Sequence, residues 1–134
     1  MIVAGVGCKK DVSATPIVAL VRAAMERHGH SIAELGLLAT GEIKRSEPGI
    51  VEAAGLLGVP LLIVDDNRLQ AAASSCLTQS KASQIATGLP SLSEACAIVA
   101  AGPGGRLLGP RLTGQGVTCA IGATAWSAKG AQPQ

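Results

Sequence analysis

Apolar residues in this chain come in short continuous runs, each followed within a few positions by glycine and charge. Ile2-Val3-Ala4-Gly5-Val6 leads into Gly7-Cys8-Lys9-Lys10, and Leu35-Gly36-Leu37-Leu38-Ala39-Thr40 leads into Gly41-Glu42-Ile43-Lys44-Arg45-Ser46-Glu47. A third run, Leu61-Leu62-Ile63-Val64, leads into Asp65-Asp66-Asn67. Runs this short, bounded by breakers, predict strands covered on both faces. Between them the apolar period is helical. Ile17, Val21, Ala24 and Met25 share one face of a helix predicted from Pro16 to about His28, opposite Arg22, Glu26 and Arg27. A second helix, opening near Ser46 with Pro48 in its first turn, turns Ile50, Val51, Ala54 and Leu57 inward. Strand, helix, strand, helix, strand at spacings too long for hairpins predicts a parallel sheet with right-handed crossovers.

The second half is less regular. Asp65, Asp66 and Asn67 suit the cap of a helix from Arg68 to about Ala73; two adjacent carboxylates also fit a divalent cation, but capping is their commoner use. Residues 74–90 are rich in Ser, Thr and Gln and read as loop, with a short helix near Lys81 to Thr87. Ser91, Ser93 and Glu94 open an alanine-rich helix that runs through Cys96, Ile98 and Val99 to Ala101. Gly102-Pro103-Gly104-Gly105 breaks it. Leu107 to Leu112 and Val117 to Ile121 then read as two strands joined by the Thr113 to Gly116 turn, a closing hairpin. The expected architecture is one three-layer α/β domain over residues 1–126, its sheet mostly parallel, with flanking helices and a C-terminal hairpin. Trp126 is expected to anchor the end of the domain, and the small, polar tail over 127–134 to be disordered.

Composition narrows the function classes. With one Trp and no Phe or Tyr among 134 residues, the core must be built of Ala, Val, Leu and Ile, and no platform for stacking nucleic-acid bases exists. A net charge of +2 with scattered Lys and Arg gives no basic stripe for a phosphate backbone. Cys8, Cys76, Cys96 and Cys119 lie too far apart for a Cys-x-x-Cys metal pair. Cys96 and Cys119 sit inside apolar runs and are expected in the core, whereas Cys8 stands at a strand end. His28 and His30 flank the Gly29 helix stop, where a structural or solvated role is the commoner one. No secretory leader fits a start that runs straight into a strand, and no apolar run reaches the length of a membrane span. A cytoplasmic protein without metal or cofactor is expected.

The candidate chemistry lies at the strand ends. In an open α/β sheet ligands collect beyond the carboxyl ends of strands, and two such ends here carry cations: Lys9 and Lys10 after the first, Lys44 and Arg45 after the second. An anionic ligand is one reading; solvated loops are the other. Lys44 and Glu47 are spaced to pair, and Glu94 would complement its helix dipole or face the cationic loops. Gly5-Val6-Gly7-Cys8-Lys9-Lys10 begins like a dinucleotide fingerprint, but Lys10 holds the third glycine position and no acidic ribose partner follows at the expected distance. No P-loop, nucleophile elbow or Ser-His-Asp arrangement is visible.

In order and spacing, four of these segments together resemble the CobE family of cobalamin biosynthesis, itself similar to the C-terminal domain of the cobalt-precorrin hydrolase CbiG. They are Gly5-Val6-Gly7-Cys8-Lys9-Lys10, Leu38-Ala39-Thr40 with Lys44 and Glu47, Ser93-Glu94-Ala95-Cys96-Ala97, and Val117-Thr118-Cys119-Ala120-Ile121. Where members of that family tend to show Pro-Ser before the short helix, this chain has Gln79-Ser80. The resemblance implies a precorrin or corrinoid ligand, whose many carboxylates call for Lys, Arg and backbone N–H groups. On that footing Lys9, Lys10, Lys44 and Arg45 would supply charge, Gly5 and Gly7 close approach, and Thr40 a hydrogen bond. Glu47 or Glu94 would orient the lysines or act on a proton. It further implies either a carrier or accessory factor of the oxygen-dependent pathway, or a hydrolase of a precorrin ring lactone with Cys8 as nucleophile or Glu47 as base. A third expectation is an interaction module docking on other pathway enzymes through the alanine-rich helix. Neither nucleic acid nor membrane is an expected partner.

Overall fold

Side-chain alternation along the first strand decides how the layers assemble. A computed structural model of the chain describes residues 1–125; Trp126 and the tail over 127–134 lie outside the described residues. In β1 (Ile2–Cys8), Ala4 and Val6 join Ile17, Val21, Met25, Leu38 and Ile50 in one apolar cluster. These partners come from α1 (Ala14–Arg27) and α2 (Pro48–Leu57), which cover that face, and from β2 (Leu35–Gly41) beside β1 in the sheet. Gly5 and Gly7, out of phase by one residue, face the other way, toward α5 (Leu92–Ala101). There Ala39, Val64, Leu69, Leu92, Ala95 and Cys96 form the second cluster, with α3 (Asp66–Ala72) beside α5.

The sheet has six strands in the order β3-β2-β1-β6-β4, with β5 also paired to β6. β1 and β2 pair in parallel, as do β2 and β3 (Leu61–Val64), as the strand-helix alternation predicts. β6 (Val117–Ala123) inserts antiparallel to β1 along its whole length, from Ile2 opposite Ala123 to Cys8 opposite Val117. The predicted hairpin is present, its turn narrowed to Gln115 (φ 53°) and Gly116 (φ 77°), a two-residue turn with both central residues at positive φ. The strand expected over Leu107 to Leu112 is instead split into β4 (Arg106–Leu107) and β5 (Leu112–Gly114). Leu107 faces Gly122 and Leu112 faces Cys119, so five steps on one side match three on the other. Pro110, which has no N–H to give the ladder, sits in that interruption.

Other boundaries differ in detail. α1 begins at Ala14, ahead of Pro16, so the proline occupies the first turn without opening it. In α2, Ala53 rather than Val51 is buried; Val51 is 53% exposed. β3 is an edge strand, so Leu61, Leu62 and Ile63 are only half-buried instead of covered on both faces. Asp65 caps α3 by accepting from the Arg68 amide and pairs with its guanidinium, the capping use expected of it. Cys96 and Cys119 are fully buried. In the alanine-rich helix, Ala95, Cys96 and Ala97 are fully buried, so its small face is committed to its own sheet, while Ile98, Val99 and Ala100 stay half-exposed.

That commitment depends on Gly5. A Cβ there would lie 2.1 Å from the Ser93 carbonyl oxygen and 2.6 Å from the Ala97 amide nitrogen, both backbone atoms that cannot step aside. Gly5→Ala is therefore expected to destabilise the domain by about 3 kcal/mol, the upper part of the usual range for overpacking. Gly55→Ala, at a site in α2 with open space around it, should instead gain roughly 0.5–1 kcal/mol from helix propensity. Urea midpoints for the two variants should move in opposite directions.

Candidate functional site

Beyond the carboxyl end of β1 lies a cavity of about 640 Å³. Three segments wall it: Gly7 to Lys10 at the strand end, Thr113 to Thr118 of the β5-β6 hairpin, and α4 (Lys81–Thr87) with Ser80 before it. Leu92, in the first turn of α5, adds apolar surface, and Lys44 and Arg111 reach it from the sides. Its lining therefore holds four cations, Lys9, Lys10, Lys44 and Arg111, and no Asp or Glu. Among the described residues none of the four charged side-chain groups has a carboxylate within 4 Å.

Local hydrogen bonds hold the lysine loop in place. The Lys9 amide donates to the Gly116 carbonyl at 2.8 Å, which joins the end of β1 to the hairpin turn. Two residues on, Asp11 adopts φ 62°, and its amide donates to Glu47 Oε1 at 2.9 Å. Glu47 thus secures the loop's backbone, and the expected Lys44–Glu47 ion pair does not form. Cys8 is half-buried on the cavity wall. Burial pushes its thiol above the ordinary range; the Lys44 charge pulls the other way, and Glu47 adds to the rise. Burial likewise pushes the Cys76 thiol up to about 11 and Cys119 up to about 12.

The structure gathers some of the expected site residues and disperses others. Gly7, Cys8, Lys9, Lys10 and Lys44 all line the cavity. Gly5 does not: the close approach it permits is that of α5, not of a ligand. Thr40 is fully buried and donates its hydroxyl to the Val6 carbonyl at 2.8 Å, so it is engaged within the sheet. Arg45 is exposed and outside the lining, and Glu47 stands behind the loop. Glu94 is fully buried and accepts from the amides of Leu77, Thr78 and Arg111 rather than facing the lysines. The sequence predicts the hairpin turn and the short helix of α4 but not their place in the cavity wall, and it gives no role to Arg111. A hairpin next to a predicted strand end offered a signal, since antiparallel insertion beside β1 brings its turn to the Lys9 loop; Arg111 offered none.

With this geometry in place, comparison with known proteins supplies the lineage. A family model described as cobalamin synthesis G C-terminus matches residues 2–122. The chain belongs to that family. This member of the cobalamin synthesis G C-terminus family is 29% identical over 120 residues to protein CobE of a Sinorhizobium species, across 90% of this chain and 78% of the relative. The crystal structure of CobE, a protein from the cobalamin (vitamin B12) biosynthetic pathway, matches at a TM-score of 0.86 and 32% identity, over 91% of this chain and 89% of that one. Cobalamin biosynthesis protein ChiG from Agrobacterium tumefaciens matches at 0.75 and 44%, over 93% and 99%. The chain is a protein of cobalamin biosynthesis. Among its described residues no helix is long and apolar enough to cross a membrane.

The Cys8 environment has a measurable consequence in this family member. Because Lys44 lowers and Glu47 raises the thiol pKa, Lys44→Ala should slow alkylation of Cys8 at mildly alkaline pH and Glu47→Gln should speed it. Each change is expected to be about two- to threefold, the size of a screened charge at this range. The pH–rate profile of iodoacetamide labelling, read by peptide mass, checks both signs; the wild-type rate should still be climbing above the ordinary thiol range.

Proposed function

We propose that this domain binds a precorrin or related corrinoid intermediate in the cationic cavity and serves its pathway as a carrier or accessory factor. The observation that carries this reading is the lining itself: four cations without a carboxylate counterpart, arranged about Ala82, Ala86, Leu92 and Val117. A precorrin has a broad apolar ring edged by acetate and propionate groups, so it needs an apolar bed with cations at the rim. The cavity volume, about 640 Å³, falls within the range of roughly 300–1,000 Å³ usual for small-molecule sites. Membership in a cobalamin-biosynthesis family supports the same ligand class.

Two observations weigh against a hydrolytic role. The Cys8 thiol is shifted away from its nucleophilic form, and Glu47, the candidate base, already accepts a backbone hydrogen bond behind the loop. Binding asks less of this lining than catalysis does: charge, hydrogen-bond donors and shape suffice.

Titration with cobyrinic acid, whose side-chain carboxylates are free, against cobalamin, whose ring carboxylates are amidated, tests the reading. The free acid should bind more tightly, weaken with added salt, and keep its absorption spectrum unchanged over time. Lys9→Ala, Lys44→Ala and Arg111→Ala should each weaken it about tenfold, the effect of losing one charge-assisted hydrogen bond. Equal affinity for the two corrins, or three variants that bind like the wild type, would sink the proposal; a progressive spectral change would move it to catalysis.

A further inference from the structure

Glu94 is fully buried in the first turn of α5, and all of its recorded partners are hydrogen-bond donors from the two segments flanking the cavity. Oε1 accepts from the Leu77 amide at 2.7 Å and the Thr78 amide at 2.8 Å. Oε2 accepts from the Thr78 hydroxyl at 2.6 Å and the Arg111 amide at 2.9 Å. Leu77 and Thr78 lead through Ser80 into α4, one wall of the cavity; Arg111 leads into the hairpin, the facing wall.

The α4 wall is held at its two ends: buried Leu89 follows its C-terminus, where Gln70 Nε2 donates to the Gly88 carbonyl at 3.5 Å, and its base depends on other bonds. The helix contributes no buried residue, and Ile85 at its centre is 86% exposed. Its base is held by the Ser80 amide donating to the Pro90 carbonyl at 3.0 Å and by the Glu94 carboxylate. A buried carboxylate is tolerated only when its oxygens are satisfied, and the four donors here come from two chain segments more than thirty residues apart, Leu77 and Thr78 against Arg111. Satisfying Glu94 therefore requires both segments to be in place at once.

We propose that Glu94 is a positioning residue of the corrinoid site, tying the α4 wall to the Arg111 wall so that the cavity is preorganised without Glu94 touching ligand. This deepens, and rests on, the reading of the cavity as a corrinoid site. A carboxylate is required for the tie. Glutamine offers one acceptor oxygen and one NH2 group, so in either orientation it turns a donor toward half of the donors it must satisfy.

Two measurements on the intact chain test this. Amide hydrogen exchange without ligand should show Glu94→Gln raising exchange at Leu77, Thr78 and Arg111 together, with the amides of the β1-β6 ladder unchanged. Cobyrinic acid titration should show Glu94→Gln weakened about tenfold, and Glu94→Gln/Arg111→Ala weakened by clearly less than the product of the two single losses, since the carboxylate acts partly through that arginine. Thr78→Val, which removes one hydroxyl bond outside the cavity lining, should weaken binding about threefold and keeps the cycle with Arg111→Ala available if Glu94→Gln does not fold. Unchanged affinity in both variants, fully additive losses, or an exchange increase spread over the whole sheet would overturn the proposal, the last marking Glu94 as a general stabiliser. Wild-type protein that takes up no corrin, with exchange in Glu94→Gln still rising at both walls, would overturn the corrinoid reading while supporting the tie between the walls.

Discussion

Helix α5 lies against β1 with nothing between them at Gly5 but backbone, and the placement of the whole site follows from that contact. A strand and a helix ordinarily stand apart by the length of their side chains. Here Gly5 removes that spacer, and Gly122 on the neighbouring strand does the same beneath the Ala97 carbonyl, 3.2 Å from where its Cβ would be. The helix sinks onto the sheet, and its N-terminal turn arrives just beyond the carboxyl end of β1. Ser91 caps that turn by accepting from the Glu94 amide, Leu92 faces the cavity, and Glu94 reaches the loops on either side. A larger residue at position 5 would lift all three away from the strand end.

The insertion of β6 between β1 and the C-terminal edge gives the site its second side. In a wholly parallel sheet the neighbour of β1 would leave from the same end and carry the chain away. An antiparallel neighbour instead begins at that end, so its hairpin turn sits next to the lysine loop, and the Lys9 amide can donate to Gly116. The site is thus built where a parallel half of the sheet meets an antiparallel half. Backbone hydrogen bonds carry the joint, and the cationic side chains are left without carboxylate partners.

Most of the sheet could be read from the chain because its strands are short apolar runs ended by glycine and charge, a pattern that burial on both faces enforces. Gly5 and Gly7 illustrate the limit. Both have the sequence signature of an opening for a ligand; Gly7 lines the cavity and Gly5 admits a helix, and local sequence cannot separate the two because both demands remove a side chain. Thr40 and Glu94 failed as ligand contacts for a related reason. A polar residue beside a strand end looks alike whether it faces solvent or satisfies buried backbone, and only the tertiary partners, Val6 for one and Leu77, Thr78 and Arg111 for the other, distinguish them. Arg111 carries no such signal, because the interruption at Gly109 and Pro110 that brings it to the cavity falls inside a run whose apolar pattern predicts one continuous strand.

Four cations line the cavity with no carboxylate within ion-pair distance of their side chains among the described residues. A sequence selected for stability alone would place a carboxylate among them, and one lay close at hand: Glu47 is three residues from Lys44 and is turned instead to the Asp11 amide. Glu94, a second carboxylate nearby, is directed to backbone donors as well. Both acids thus brace the loops that carry the cations while leaving the cations unneutralised. On the proposed reading, a polyanionic ligand would meet cations that carry no carboxylate partner, on loops whose backbones hydrogen bonds already hold. A nucleophilic site would use the same positive field to lower the Cys8 thiol, yet burial outweighs Lys44 there. On the proposed reading the unpaired cations hold an anion, and the buried thiol takes no part.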